Sequence, residues 1–224
     1  MNKLLKTKTK SVVFNQDRFD QAVVAFSRFD GENSTEFNLI ITPDSGFSFS
    51  EQLTAIEKAL KHFLKEQEMT DESVIFKRYF VSDYSNQTEI HDHMSNWCYV
   101  CATSVVQQVP LCGAKVVLWV VLLEGSVTRK SLNQNNLSLN RNGYSHLFST
   151  QLYDEKAKGS SFGQTMEIFQ DYMDTLQKQN LTLAENCIRT WIYVGDIDNN
   201  YAGMVNARNQ IFISENLTRE THFI

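Results

Sequence analysis

The segment "GFSFSEQLTAIEKALKHFLKE", residues 46–66, recurs 113 positions later as "GSSFGQTMEIFQDYMDTLQKQ", residues 159–179. Both copies place apolar residues at successive spacings of three, four and three: Leu53, Ile56, Leu60 and Phe63 in the first, and Met166, Phe169, Met173 and Leu176 in the second. Apolar residues three and four positions apart lie on one face of a helix. The sequence therefore predicts an amphipathic helix in each of the two copies.

The same offset continues on both sides of these helices. "VIFKRYFVSDYSN", residues 74–86, overlies "CIRTWIYVGDIDN", residues 187–199, and each is typical of a strand that runs into an Asx-rich turn. Strand patterns also precede the two helices, "FNLIITP" at 37–43 and "LFSTQLY" at 147–153. The most apolar run, "VVLWVVLL" at 116–123, predicts a strand buried on both faces.

Hairpin strands, a helix and a central apolar strand predict an α+β fold, in which helices cover one face of a mixed sheet. We place a first unit at residues 1–124, a polar, Asn-rich connection at 125–143 and a second unit at 144–224. By the offset, the counterpart of the strand that starts at Cys112 would start just after Ile224. We therefore expect a second unit without its final strand, and either a longer natural chain or another segment that fills the gap.

Three motifs resemble those of the YjgF/RidA superfamily: "RTWIYVGDID" at 189–198, "NARNQIF" at 206–212 and "PLCGAKVVLWVVLLE" at 110–124. The tandem arrangement, and R-T-W-x-Y followed by Tyr and N-x-R, are similar to the chorismatase branch, which carries two such units in one chain. The resemblance implies a chorismate-mutase-like fold, a trimer or a pseudo-trimer of units, and a site for a small carboxylate-bearing metabolite.

One feature of the superfamily is missing from the first copy. The resemblance implies that imine-deaminating members have an arginine shortly before the Leu-Pro that opens the last strand. This chain has Cys101 and Thr103 in that neighbourhood and "VPL", residues 109–111, in place of Leu-Pro. We therefore expect the first copy to be structural, which argues against an imine deaminase. The acidic charge balance makes an endoribonuclease a poorer fit as well.

Comparison of the copies selects candidate site residues. Asp196 and Asn199 match Asp83 and Asn86 in the first copy, so we predict that they are turn residues. Arg189 faces Phe76 instead, and Trp191 faces Arg78. Residues present only in the second copy are not required by packing that both copies share. Trp191 is nevertheless expected in the core, because large aromatic residues are mostly buried for packing.

The remaining residues of this type predict a carboxylate site in the second copy: Arg208, Arg189, Tyr193, Tyr201 and Asn206. An arginine can grip a carboxylate with its two-pronged guanidinium, and tyrosines can wall a ring-shaped ligand. For Arg208 the alternatives are a solvated helix arginine or a salt bridge between subunits. The sequence does not indicate the catalytic residues.

Composition disfavours other partners. The formal charge of -5 argues against a nucleic-acid surface. The basic N-terminus lacks a following apolar run, so we expect a cytoplasmic protein, and no run of about 20 apolar residues predicts a membrane span. His91, His93, Cys98 and Cys101 could form a zinc site, but a single CxxC in apolar context favours free buried cysteines. We expect neither a metal nor a cofactor.

Two functions remain open from the sequence. The first is chorismatase-like hydrolysis of a cyclic carboxylate such as chorismate, with an acid from the missing region protonating the leaving enol ether. The second is a non-catalytic module for small-molecule binding or for assembly.

Overall fold

The computed structural model describes residues 13–95, 101–125, 127–133, 136–141, 143–150 and 159–217. The chain divides into two compact units, residues 1–151 and 152–224. We call them unit 1 and unit 2.

A six-stranded mixed sheet forms the centre of unit 1. Its strands are β1 (Val13–Phe19), β2 (Ala22–Asp30), β3 (Ser34–Pro43), β4 (Val74–Val81), β5 (Ala102–Gln107) and β6 (Val116–Gly125). Their order is β1-β2-β3-β6-β4-β5, in which β4 and β5 run parallel and the other neighbours are antiparallel. The apolar run predicted as a buried strand is β6, and it lies between β3 and β4.

Two helices, α1 (Phe49–Glu66) and α2 (Glu89–Ser95), contribute to the main core of unit 1 together with one face of this sheet. A reciprocal capping box starts α1: Ser48 Oγ accepts from the Glu51 backbone N–H, and the Glu51 carboxylate accepts from the Ser48 N–H. The predicted face of α1 is buried, with every member at most 3% exposed: Leu53, Ile56, Leu60 and Phe63. The α+β class predicted from the sequence is confirmed.

A three-stranded antiparallel sheet belongs to unit 1 as well. It consists of β7 (Val127–Asn133), β8 (Asn136–Arg141) and β9 (Tyr144–Ser149). Leu137 and Leu139 of β8 form a second apolar cluster with residues of the large sheet: Ile75, Phe76, Ala102 and Leu123. Arg141 ties β8 to β3, because its Nε donates to Ser34 Oγ (2.6 Å) and its Nη1 to the Glu36 carboxylate (3.1 Å).

We predicted segment 125–143 as a polar connection between the units. In the structure, strands β7 and β8 occupy most of it. Its Asn and Ser content hid the strand pattern. In β8 the two apolar residues Leu137 and Leu139 alternate with polar ones, which is sufficient for a strand with one buried face.

Helices make up the described part of unit 2: α3 (Ser161–Gln177), α4 (Leu183–Asn186) and α5 (Ile197–Ser214). The second predicted amphipathic helix is α3, and it packs on α5. Phe169 of α3 meets Phe212 of α5 edge to face, with ring centroids 5.9 Å apart. The two helices approach closely at Gly203, where a Cβ would collide with the Ser161 side chain.

The order of elements in the first half recurs in the second at nearly the same offset. Strands β1–β3 correspond to β7–β9, α1 to α3, and the 3-10 turn Asp71–Ser73 to α4. The exception is the counterpart of β4. We predicted residues 187–199 as a strand that enters a turn, and this prediction was wrong. Residues 187–194 belong to no sheet of the described chain, and α5 begins at Ile197. Apolar alternation gives a segment the propensity for a strand, but the strand itself requires a hydrogen-bonding neighbour.

None of the helices within the described ranges is long and apolar enough to cross a lipid bilayer.

Candidate functional site

Arg208 lies on α5 in a setting that combines burial with missing hydrogen bonds. Its Nη2 donates to Asn209 Oδ1 at 3.2 Å, and its guanidinium carbon lies 5.8 Å from the centre of the Phe212 ring. Its Nε is buried, and no atom of the described residues accepts a hydrogen bond from it. Buried polar atoms in native proteins nearly always have a partner. An acceptor from outside these residues would therefore satisfy the Nε of Arg208.

Two other predicted site residues lie on the same helix. Tyr201 precedes Arg208 by seven residues, so it shares a face of α5 with Arg208 about 10 Å away along the axis. Asn206 precedes Arg208 by two residues, and side chains two apart do not face each other on a helix. Tyr201 and Asn206 are both exposed. The helix thus groups Tyr201 with Arg208 and places Asn206 on another side.

The last two predicted residues, Arg189 and Tyr193, lie in residues 187–194 together with Trp191. Trp191 is 48% exposed, so our expectation of a core residue was wrong. Among the described residues, no strand pairs with this segment. The Arg189 guanidinium lies 5.4 Å from the Trp191 ring centre, a cation–π contact at the surface.

The first copy contains a similar pair in reverse order. In β4 the Arg78 guanidinium lies 4.9 Å from the Phe76 ring, and these residues match Trp191 and Arg189 in position. The mismatch that made Arg189 a candidate in the sequence is therefore an exchange of an arginine and an aromatic residue on one strand face. This weakens Arg189 as a ligand residue and leaves Arg208 as the stronger candidate.

Tyr172 and Cys187 form a contact that sequence reasoning did not find. Their side chains are neighbours, and burial raises the pKa of both groups above the ordinary values. The contact places the start of residues 187–194 beside α3. Comparison of the copies could have indicated it, because the counterpart of Tyr172 is Ala59.

Unit 1 contains buried ionisable groups that the sequence analysis also missed. Lys77 and Tyr79 of β4 are at most 1% exposed, and burial lowers the pKa of Lys77 and raises that of Tyr79. His93 of α2 meets the Tyr79 ring edge-on, at 5.9 Å between centroids, and burial lowers its pKa too. On the other face, Arg78 Nε donates to Ser104 Oγ at 2.9 Å. Lys77, Tyr79 and His93 thus lie between the sheet and the helices, and Arg78 lies on the opposite face of the sheet.

Two surface grooves run beside α1, with volumes of about 360 and 380 Å³. The first is lined by Arg18, Phe19, Asp20, Lys58, Ala59 and His62. The second is lined by Lys61, Leu64, Lys65, Met69, Thr70 and Asp71. Both belong to unit 1, and the predicted site residues line neither groove.

Only three of the four residues of the possible zinc site lie within the described residues: His91, His93 and Cys101. Cys98 lies outside the described residues, and within the described part no group of three or more His, Cys, Asp or Glu side chains could hold a metal ion. Cys101 is buried, as expected of a free core cysteine, and its sulfur lies 3.3 Å from Thr103 Oγ1. Cys112 is exposed, which the expectation of buried cysteines did not foresee, because it lies in the turn before β6.

Comparison with known proteins gives distant structural likenesses. No model of a known family matches the sequence, and no curated protein is similar enough to match. The chain is similar to NMB1025 of Neisseria meningitidis, a member of the YjgF protein family, with 13% identity over 51% of this chain and 95% of that one and a TM-score of 0.37. It is also similar to yeast Mmf1, with 19% identity over 47% and 86% and a TM-score of 0.34.

A third solved structure, YyfA from Yersinia pestis, is a protein of the Rid family. It is 18% identical over 46% of this chain and 86% of that one, with a TM-score of 0.31. These structural neighbours are YjgF/Rid proteins, the superfamily that the motifs resembled. At such scores the fold assignment depends on the chain's own elements, and the chorismatase branch and the trimer stay predictions.

Proposed function

We propose that the protein binds a small carboxylate-bearing metabolite of the kind taken by YjgF-like proteins, and that Arg208 binds the carboxylate. The observation that carries the proposal is the buried Nε of Arg208, which has no acceptor in the described chain. A buried donor without an acceptor costs about 1–3 kcal/mol, and a carboxylate that reaches this edge would remove the cost. The planar fork of Nε and Nη atoms matches the two oxygens of a carboxylate.

The surroundings of Arg208 suit a ligand with a ring. Phe212 lies under the guanidinium, and Tyr201 shares the helix face two turns away. Aromatic side chains pack against a ring, while a charged fork fixes its orientation. A cyclic carboxylate such as chorismate combines both features, and its hydrolysis to release pyruvate is the chorismatase-like activity that we assign as the first candidate.

A non-catalytic binding module is the second candidate, and the exposure of the remaining predicted residues favours it. Arg189, Tyr193 and Tyr201 are open to solvent, whereas hydrolysis of an enol ether requires a positioned acid and a site that controls water. Both candidates use Arg208 in the same way.

Calorimetric titration tests the proposal. Benzoate and chorismate are added separately to the wild-type chain, to Arg208→Ala and to Arg208→Lys. A charge-assisted hydrogen bond of about 1.5–3 kcal/mol corresponds to a loss of roughly 10- to 150-fold in affinity for Arg208→Ala. Arg208→Lys should lie between, because it keeps the charge and loses the fork.

Arg189→Ala is the matched control, since it removes an arginine from the same unit that stacks on Trp191 at the surface. Equal ligand affinity in wild type and Arg208→Ala would remove Arg208 from the site. A change of oligomeric state in Arg208→Ala without a change in affinity would identify a subunit salt bridge instead. Pyruvate release from chorismate separates the hydrolase from the binding module.

A further inference from the structure

Residues 187–194 present several apolar side chains to solvent. Ile188 is 84% exposed, Trp191 48%, Ile192 37% and Tyr193 43%, and the segment is in no sheet of the described chain. Isolated exposed apolar residues are normal, but a cluster of them within one short segment marks an interaction surface. The segment begins at Cys187, beside Tyr172 of α3, and is followed by α5.

The first copy shows what covers such a segment. The counterparts of Ile188 and Ile192 are Ile75 and Tyr79, which are 4% and 1% exposed. Ile75 is buried in the cluster that contains Leu137 and Leu139, and Tyr79 is buried in the main core with α1 and α2. The backbone of β4 itself pairs with β5 and β6 in the sheet. Of these two neighbours β6 is the apolar one, and it runs antiparallel to β4 with Arg78 opposite Trp119 and Val81 opposite Val116.

The correspondence between the two segments is anchored by an Asp–Asn pair that follows each of them. Asn86 Nδ2 donates to Asp83 Oδ2 at 2.6 Å, and Asn199 Nδ2 donates to Asp196 Oδ2 at 2.8 Å. The same hydrogen bond thus recurs at the same offset, although the turn predicted at Asp196 and Asn199 is instead the start of helix α5, where Asp196 is the N-cap. Position by position, residues 187–194 correspond to β4.

We propose that residues 187–194 are a strand-binding surface whose occupant is an antiparallel, apolar strand of the β6 type, supplied by a separate polypeptide segment. In the register of β4, the occupant places its residue equivalent to Trp119 opposite Trp191 and its equivalent of Leu118 opposite Ile192. Backbone hydrogen bonds supply the pairing, and apolar side chains on alternate positions supply the selectivity.

The test uses the full chain and a synthetic peptide that copies residues 115–124, with phenylalanine in place of Trp119 and added lysines at each end for solubility. Binding is followed by the tryptophan emission of the protein. We expect a saturable blue shift in the wild type that is absent in Trp191→Phe. Ile192→Asp should weaken peptide binding at least tenfold, because it places a charge under the docked strand.

Two controls separate strand pairing from adhesion of an apolar peptide. Ile213→Asp changes a residue of α5 that is also exposed, and it should bind the peptide like the wild type. A peptide with prolines at the positions of Leu118 and Val120 cannot complete the hydrogen bonds and should not bind. Circular dichroism verifies that each variant keeps its helices.

Three results would overturn the proposal. The first is the absence of an emission shift with the test peptide that has no prolines. The second is an equal shift with the proline peptide. The third is a dimer in light scattering that Ile192→Asp dissociates and the peptide does not compete with, which would make a second copy of this chain the occupant. Ligand binding at Arg208 is measured separately, so its failure does not affect this outcome.

Discussion

Strand β4 and residues 187–194 occupy the same place in two copies of one pattern, yet only β4 is a strand. Both follow a short helical turn, and both end in an Asp–Asn pair joined by the same side-chain hydrogen bond. They differ in their neighbours: β4 has β5 and β6 beside it, whereas residues 187–194 have no sheet around them in the described chain. A segment thus becomes a strand only when a neighbouring strand accepts and donates its backbone hydrogen bonds, and the sequence of the segment alone does not show whether that neighbour is present.

The comparison extends to the helices that precede the two segments. Helix α1 packs its whole apolar face against the sheet. In α3 only Phe169 and Leu176 of the matching face are buried, and Met166 and Met173 are half-buried. The second helix packs on α5 instead. The following substitutions change matched positions in the two copies. Each comparison measures how much the same position contributes to stability in each copy.

The largest difference is expected at an isoleucine present in both copies. Ile75 is 4% exposed and Ile188, its counterpart, is 84% exposed. Ile75→Ala should lower the free energy of unfolding by about 2–5 kcal/mol, because it leaves a cavity in a packed cluster. Ile188→Ala should change it by less than about 0.5 kcal/mol, as for other surface substitutions. Urea denaturation followed by circular dichroism measures both.

Similar losses for the two alanine variants would contradict this comparison. They would mean that residues 187–194 are covered in solution by something the described chain does not contain.

A smaller difference is expected at the helix caps. Ser48→Ala removes an N-cap with a reciprocal partner and should cost about 1 kcal/mol. Ser160 caps α3 through one hydrogen bond to the Gly163 N–H at 3.3 Å, and Gly163 has no side chain to complete a capping box. Ser160→Ala should therefore cost less. Thermal melting of both variants ranks them, and a larger loss for Ser160→Ala would show that α3 governs the transition.

The smallest effect concerns pH. His93 of unit 1 corresponds to Asn206 of unit 2, and burial holds the pKa of His93 below its ordinary 6.5, with Glu57 opposing and Lys77 and Lys61 adding to the shift. As pH falls through 6.5, the unfolded chain therefore binds a proton before the folded chain does. Stability should decline as pH falls from this value toward the lower folded pKa.

His93→Asn gives unit 1 the residue of unit 2 and should flatten this decline. Melting temperatures between pH 8 and pH 5 test it, and His91→Asn, two residues away and exposed, is the control. An unchanged slope in His93→Asn would assign the decline to other groups.

The parts of the fold that local patterns determine were predictable. Helical spacing located α1 and α3, strand patterns located β3 and β4, and a continuous apolar run located β6. The β7–β8 hairpin escaped because only Leu137 and Leu139 of β8 carry its buried face, amid Asn and Ser that are more frequent in loops. Residues 187–194 were predicted as a strand because their pattern matches β4, and no property of the segment itself shows whether a neighbour is present.

The candidate site was predictable only as far as the copies can be compared. That comparison singled out Arg208, but the burial of its Nε depends on how α5 packs, which spacing does not reveal. For Arg189 the comparison is less informative. The arginine and the aromatic residue are exchanged between positions 76 and 78 and positions 189 and 191, which leaves a similar stacked pair. Single positions differ there, although the contact is kept.

The small sheet β7–β9 has a consequence for the independence of the two copies. By sequence it begins the second copy, yet Leu137 and Leu139 pack on Ile75 and Phe76, and Arg141 is bonded to Ser34 and Glu36 of the first. Cutting the chain before β7 would uncover Ile75 and Phe76 and remove both hydrogen bonds of Arg141. The first copy therefore depends on strands that the repeat assigns to the second.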